Sequence, residues 1–150
     1  HLPLVHWPLV YHSTAVMRKF DFRLDPQSGT AHLQLCQQVR HAITAGQLVP
    51  GEQLPTVREV VERLVISPNT VLKAYHDLEV EGILISRQGV GTFVRPDLAV
   101  RPAAEHDELR RRLGRWLAEA RRVGLSEDEI DALISVTRRE AVAKSDAEIA

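Results

Sequence analysis

The sequence lacks several features that would assign it to common classes of protein. Its single cysteine, Cys36, excludes an intramolecular disulfide, which fits a reducing compartment. No apolar run approaches the roughly 18 residues that a membrane-spanning helix needs. The formal net charge is only -1, so the composition alone does not predict a nucleic-acid partner. What is present is a chain of 150 residues, 44% hydrophobic and 26% charged, which can bury a core.

Motifs of enzymes are also missing. The sequence contains no nucleophile elbow and no glycine-rich phosphate-binding loop. Cys36 falls in an apolar stripe, which is typical of a core residue, and metal-ligand spacing is absent among His32, His41, His76 and His106. We therefore predict that the protein is not an enzyme and that it uses no cofactor and no metal.

The first sixteen residues, HLPLVHWPLVYHSTAV, differ from the rest of the chain. They contain two prolines and three histidines but no Asp, Glu, Lys or Arg, and the only methionine, Met17, follows them. We interpret Met17 as the natural start and residues 1–16 as upstream or artificially added sequence. Residues 17–30 include Asp-Pro and Ser-Gly pairs, which are typical of a loop or an extended N-terminal arm.

Three helices are predicted next. The first covers residues 31–45, because Leu35, Cys36, Val39 and Ile43 form one apolar face before Gly46. The second opens at Thr56, whose spacing to Glu59 predicts a capping box, and ends near Val65.

The third helix contains a proline at its start. Ser67 is the predicted N-cap, and Pro68 occupies the first helical position, where a missing N–H costs nothing. Val71, Leu72 and Tyr75 are predicted to anchor this helix to the core. Gly82 ends it.

After residue 82 the pattern changes from helix to strand. Residues 83–86 and 91–95 are short β-rich runs on either side of the loop RQGV, which predicts a hairpin. Three helices followed by a hairpin is the order of a winged helix-turn-helix. The expected fold is mainly α with a small β-hairpin: a winged helix-turn-helix domain over residues 31–96, and then a short helical element.

A proline-containing linker is predicted over residues 97–107, and a helical region over residues 108–150. Amphipathic helices cannot bury their apolar stripes alone, so we interpret this region as the dimerisation element. The last ten residues are predicted to fray. The apolar positions assigned to the dimer interface are Leu109, Leu113, Trp116, Leu117, Ile130, Leu133 and Ile134.

Residues 24–95 resemble the DNA-binding domain of the GntR family of bacterial transcription regulators. The resemblance is carried by LDPQSG, GQLVPGEQLPTVREV, SPNTVLKAYHDLEVEGIL and RQGVGTFV, which occur in family order and at family spacing. The short opening LDPQSGTAHLQL and the small C-terminal part are similar to the YtrA-like subfamily. One departure is the pair His32 and Leu33, which stands where an Ile-Tyr-like pair is common.

This resemblance implies a homodimer that binds a palindromic operator in double-stranded DNA, usually as a repressor. It also implies that Arg58 reads a base and that Thr56 touches phosphate. The face of the third helix that enters the major groove would carry Ser67, Asn69, Thr70 and Lys73. The wing tip that reaches the minor groove would carry Arg87, Gln88, Gly89 and Gly91.

Physical chemistry supports these roles but leaves alternatives open. Helix N-terminal residues reach base edges in the major groove, and Asn69 could pair with adenine, yet Ser67 could also be only a cap. Arg58 could form a surface salt bridge with Glu62. Lys73 could be a solvated charge, and the wing loop merely a turn.

The rival hypothesis is a winged-helix module that binds protein without DNA, which the near-neutral charge favours. The arginines of residues 108–122 could suggest a second nucleic-acid surface, but a solvated face opposite the apolar stripe is the preferred interpretation. The C-terminal part is too short to enclose a metabolite pocket of several hundred Å³. The sequence leaves open whether a small-molecule effector binds. We expect a cytoplasmic location.

Overall fold

A computed structural model of the protein describes residues 20–149, so the predicted upstream segment 1–16 and Met17 lie outside the described residues. The chain divides into two compact units, of which the structure describes residues 20–103 and residues 104–149. The described residues form five helices and one antiparallel hairpin, in agreement with the predicted fold class. The elements are α1 Ala31–Thr44, α2 Val57–Leu64, α3 Pro68–Val80, β1 Leu84–Arg87, β2 Gly91–Val94, α4 Ala103–Arg122 and α5 Glu127–Ile149.

Side-chain caps begin the helices of the first unit. At α2 the predicted capping box is formed: the Glu59 N–H donates to Thr56 Oγ1 at 3.2 Å, and the Thr56 N–H donates to Glu59 Oε2 at 2.8 Å. At α3 the Ser67 hydroxyl accepts from the Asn69 N–H at 3.3 Å, and Pro68 is the first helical residue. The proline is therefore a helix start, as predicted.

The turn between α2 and α3 contains an unusual backbone conformation. Val65 has φ 54° and ψ 52°, and it is the non-glycine residue with positive φ among the described residues. A β-branched side chain in the left-handed region is strained. Val65 is also 88% exposed, so little packing offsets that strain.

The N-terminal arm belongs to the core of the first unit. Phe20 and Phe22 are buried, and their rings pack edge to face with centroids 4.9 Å apart. The ring centroids of Phe22 and Tyr75 are 6.3 Å apart. Side-chain amides hold the arm: Gln34 accepts from the Asp25 N–H at 2.9 Å and donates to the Asp25 carbonyl at 2.7 Å. Residues before the predicted domain start at residue 31 thus also contribute to the core of the first unit.

The loop of the hairpin is one residue shorter than predicted. Arg87 ends β1 and pairs with Gly91 across the sheet, so only residues 88–90 form the loop. A short extended segment adds to β2, because the Leu54 N–H donates to the Thr92 carbonyl at 2.8 Å.

The second unit departs from the sequence prediction at both ends. Helix α4 begins at Ala103, so residues 103–107 are not linker. Ala103, Ala104 and Glu105 are strong helix formers, and Pro102 stands just before the first turn, where a proline is tolerated. Helix α5 runs to Ile149 through the residues predicted to fray, where Ala141, Ala143 and Ala147 are strong helix formers. Of the helices described, none is long and apolar enough to span a membrane.

Candidate nucleic-acid interface

Helix α3 has a buried face and an exposed face. Val71, Ala74, Tyr75 and Leu78 are buried against the core of the first unit. The opposite face is exposed and follows the helical spacing i, i+3, i+4, i+7 through Asn69, Leu72, Lys73 and His76.

The structure corrects the predicted role of Leu72. The sequence predicts that it anchors the helix, but its side chain is 52% exposed. The core already takes the neighbouring position, Val71, and the next turn, Tyr75, which leaves Leu72 on the outward side. Leu72 and His76 are not among the predicted site residues. Their spacing from Asn69 and Lys73 is the signal that could have found them.

The first turn of α3 is open to a partner. Ser67, Pro68 and Asn69 are exposed, and Thr70 is half-buried. The Ser67 hydroxyl caps the helix by accepting one hydrogen bond, and a hydroxyl can still donate its own proton. The capping role and a contact with DNA are therefore compatible for Ser67.

A buried hydrogen bond places the start of α2 beside α3. The Tyr75 hydroxyl donates to the Pro55 carbonyl at 2.6 Å, directly before the N-cap Thr56. This bond joins the middle of α3 to the segment that carries Thr56 and Arg58, both of which are exposed. The bond thus connects the two segments that carry the predicted residues of α2 and α3.

Arg58 forms the salt bridge that the sequence offered as its alternative role. Its Nε donates to Glu62 Oε1 at 2.9 Å, and the Arg58 side chain is 86% exposed. A pair this exposed contributes little to stability, because water screens it. The guanidinium can therefore leave Glu62 for a phosphate or a base edge at small cost.

The wing presents exposed residues above a fixed base. Arg87, Gln88 and Gly89 are exposed, and the Val90 N–H donates to the Arg87 carbonyl at 3.0 Å to close the turn. Gly89 adopts φ 73°, which a glycine accepts without steric cost. The hairpin is tied to α3 because the Ser86 N–H donates to Glu79 Oε1 at 2.8 Å.

Gly91 has a structural reason to be glycine. It lies half-buried in β2 with φ 145°, a backbone conformation that L side chains rarely adopt, and a Cβ there would also displace the side-chain amide of Gln53. That amide donates to the Val90 carbonyl at 3.2 Å and so supports the wing. Gly91 therefore belongs to the seat of the wing, whereas Arg87, Gln88 and Gly89 form its exposed part.

Acidic groups lie at the far end of α3 and are engaged there. Asp77 Oδ2 is 2.7 Å from His32 Nε2, and Glu81 pairs with Arg40. Asp77 and Glu81 are therefore satisfied within the fold and lie away from the first turn. The pair with Asp77 also gives a reason for histidine at position 32.

Reactive and metal-binding chemistry finds little support in the described residues. Burial raises the pKa of the Cys36 thiol, and its Sγ lies 3.7 Å from the Ala74 carbonyl oxygen. A buried thiol with a raised pKa is a poor nucleophile, which agrees with a core role. Across residues 20–149, no cluster of three or more His, Cys, Asp or Glu side chains could hold a metal ion.

The predicted dimerisation residues divide into three groups. Leu109, Leu113, Leu133 and Ile134 are exposed. Trp116 and Leu117 are half-buried. Ile130 is only 2% exposed in the single chain, so its assignment to the dimer surface is wrong: it is already covered.

Comparisons with known proteins agree with this geometry. The profile of the bacterial regulatory proteins of the gntR family matches residues 31–94. The chain is 41% identical over 73 residues to the HTH-type transcriptional repressor YtrA of Bacillus subtilis (strain 168), covering 48% of this chain and 56% of that repressor. It is 38% identical over 106 residues to the HTH-type transcriptional regulator Rv1152 of Mycobacterium tuberculosis, covering 67% of this chain and 88% of that regulator.

A solved structure shows a similar fold over most of the chain. It is the crystal structure of a transcriptional antiterminator from Listeria monocytogenes EGD-e, with 27% identity and a TM-score of 0.50. The match covers 80% of this chain and 91% of that chain.

Proposed function

The chain belongs to the GntR family of bacterial regulatory proteins, within which it is YtrA-like, and from this premise we propose that it represses transcription by binding operator DNA as a homodimer. The relatives are regulators rather than enzymes, and the DNA-binding role rests on the winged helix-turn-helix of the first unit. A regulator of this kind acts where the bacterial chromosome lies, so we also propose a cytoplasmic location.

One observation carries the proposal: the exposed face of α3 begins at a capped and open helix N-terminus. Its first turn presents Asn69, whose side-chain amide can pair bidentately with adenine. Ser67 and the N-terminal amides of the helix favour a nearby phosphate. In this arrangement Thr56 would contact phosphate, Arg58 would read a base, and Lys73 would add charge farther along α3.

The wing supplies the second proposed contact. Arg87 and Gln88 stand exposed at the hairpin end, and Gly89 lets the backbone approach closely. An arginine there suits the negative potential of a narrow minor groove. Contacts in two adjacent grooves would fix the register of the domain on the duplex.

The proposed homodimer rests on the second unit. Helices α4 and α5 expose Leu109, Leu113, Leu133 and Ile134, and a second copy is the partner that would cover equivalent stripes by symmetry. A two-fold dimer presents two reading helices, so its operator would be an inverted repeat. The modest charge of the chain makes this bivalency important for affinity.

The proposal is tested by Arg58→Ala in a mobility-shift titration on duplexes selected from a random library. The variant is expected to stay folded and dimeric while losing the preference for selected over random DNA. Arg63→Ala is the matched control, because Arg63 lies on the same helix but pairs with Asp21 of the arm. Unchanged selectivity of Arg58→Ala would remove Arg58 from the set of reading residues.

The near-neutral charge supports one rival, a module that binds protein without DNA. Salt separates the two hypotheses, because binding to phosphates releases counterions and weakens steeply as salt rises. For the proposed function we expect a linear fall of log affinity with log salt on the selected duplex. Failure to select any duplex at low salt would favour the rival.

A further inference from the structure

Leu72 is a large apolar residue within the exposed face of α3. Its side chain is 52% exposed, and it is neither a member of the core cluster nor one of the partly buried hydrophobic residues packed against it. Asn69 precedes it by three residues and His76 follows it by four, so all three share one side of the helix. A single exposed leucine is ordinary on a protein surface. Its position between polar residues of the proposed reading face is what gives it a role.

The major groove offers one apolar group to such a side chain. Each thymine carries a C5-methyl group there, and no other unmodified base does. Leu72 has no polar atom and cannot hydrogen-bond a base edge or a phosphate. If α3 lies in the groove, the leucine gains free energy only by covering an apolar surface.

We propose that Leu72 is a specificity-determining residue that packs against the C5-methyl group of a thymine in each operator half-site. This inference rests on the proposed function, because it requires α3 to enter the major groove. Asn69 lies one turn before Leu72 and suits adenine, so the two residues together would favour an A·T-containing half-site.

The experiment removes the methyl group without changing the protein. In duplexes selected with the wild-type chain, one thymine position at a time is replaced by deoxyuridine (dU), which lacks the C5-methyl group. Each replacement is made in both half-sites, and Kd is measured by fluorescence anisotropy. Burial of one methyl group corresponds to about a fourfold change in Kd. At one thymine position we therefore expect the replacement in both half-sites to raise Kd about fifteenfold. Other thymines should give changes below about twofold.

A protein variant then assigns the effect to Leu72. Leu72→Ala should bind the thymine duplex more weakly than wild type does, and it should no longer distinguish thymine from dU at that position. Val80→Ala is the matched control, because Val80 is a 74% exposed apolar residue at the C-terminal end of the same helix. It should keep the wild-type Kd and the wild-type response to dU. Thermal unfolding should show both variants folded.

The outcomes separate the inference from its premise. If no duplex is selected, the proposed function and the inference both fall. If a duplex is selected but no dU substitution weakens binding, only the role of Leu72 is overturned. That role is also overturned if Leu72→Ala keeps the full response to dU, because another residue then contacts the methyl group.

Discussion

The two units treat their apolar side chains differently. The first unit joins fifteen buried residues into one core, which includes residues of the arm, all three of its helices and both strands. Among the described residues of the second unit, Ala120 and Ile130 are the buried hydrophobic ones, while α4 and α5 leave larger side chains exposed. The first unit therefore covers its apolar side chains within one chain, whereas the second unit leaves exposed the stripes that a second copy would cover in the proposed homodimer. The exposed large apolar residues are Leu109 and Leu113 in α4, Val123 between the helices, and Leu133, Ile134, Val136, Val142 and Ile149 in α5.

The largest effect is expected inside the first unit. Leu35→Ala removes a side chain that is fully buried on α1. Loss of its contacts and the cavity left behind should lower the free energy of unfolding by about 3 kcal/mol. Urea unfolding of wild type and variant, followed by circular dichroism, measures the difference.

Leu33→Ala is the matched control for that prediction. Leu33 lies two residues earlier on the same helix, but it is 55% exposed. We expect its substitution to change the unfolding free energy by less than about 0.5 kcal/mol. Equal losses at the two positions would contradict the burial pattern of α1.

A second prediction concerns the exposed stripe of α4. Leu113→Glu places a charge on an apolar residue that is 51% exposed in the single chain. If two copies cover this stripe, the variant should be a monomer by light scattering. Its affinity for the full operator should fall by about a hundredfold, because bivalent binding is lost. Substituting Trp116 by a polar residue should act in the same direction.

The control for the dimer prediction is Ala118→Glu. It adds the same charge to the same helix, but Ala118 is exposed on the side opposite the stripe. It should remain a dimer with the affinity of wild type. A Leu113→Glu variant that stays dimeric would move the interface to another surface and weaken the contrast between the units.

Local chemistry explains which parts of the fold were predictable. The capping pair of Thr56 and Glu59, and the start of α3 at Ser67 and Pro68, depend on residues a few positions apart. Such signals are complete in the sequence. They also located the first turn of the proposed reading helix.

Tertiary context decided what the sequence prediction missed. Phe20 and Phe22 alternate as in a strand, but only the docking of the arm makes them core residues. Leu72 and Ile130 have ordinary helical spacing, and whether a neighbour covers them depends on the packing of other elements. Position along a helix indicates the face on which a side chain lies, but it does not determine whether that side chain is exposed.

A third, smaller effect tests how the core supports the proposed interface. Tyr75→Phe removes the hydroxyl that donates to the buried Pro55 carbonyl at 2.6 Å. The carbonyl loses a partner in a place with little water, so the unfolding free energy should fall by about 1 to 2 kcal/mol. Because this bond joins α3 to the start of α2, selective DNA binding should weaken as well. Unchanged stability would show that the bond is replaced, for example by water.

The smallest effect has the opposite sign and lies at the edge of the same unit. Among the described residues, Val65 is the only non-glycine residue with a left-handed backbone conformation, and it is 88% exposed. Glycine adopts this conformation without steric strain, although it gains more freedom in the unfolded chain. The relief of strain is the larger contribution for a β-branched residue, so Val65→Gly should stabilise the protein by about 1 kcal/mol. Thermal unfolding measures the change.

The same substitution at a second exposed valine fixes the cause. Val80 is 74% exposed but lies at the end of α3 with a helical backbone. Val80→Gly should therefore destabilise the protein by a few tenths of a kcal/mol, because glycine is the poorer helix former. Stability changes of opposite sign at these two exposed valines would show that the first unit contains backbone strain next to its proposed reading helix. Equal signs would mean that the left-handed turn costs Val65 little, since exposure is common to both positions and only the backbone differs.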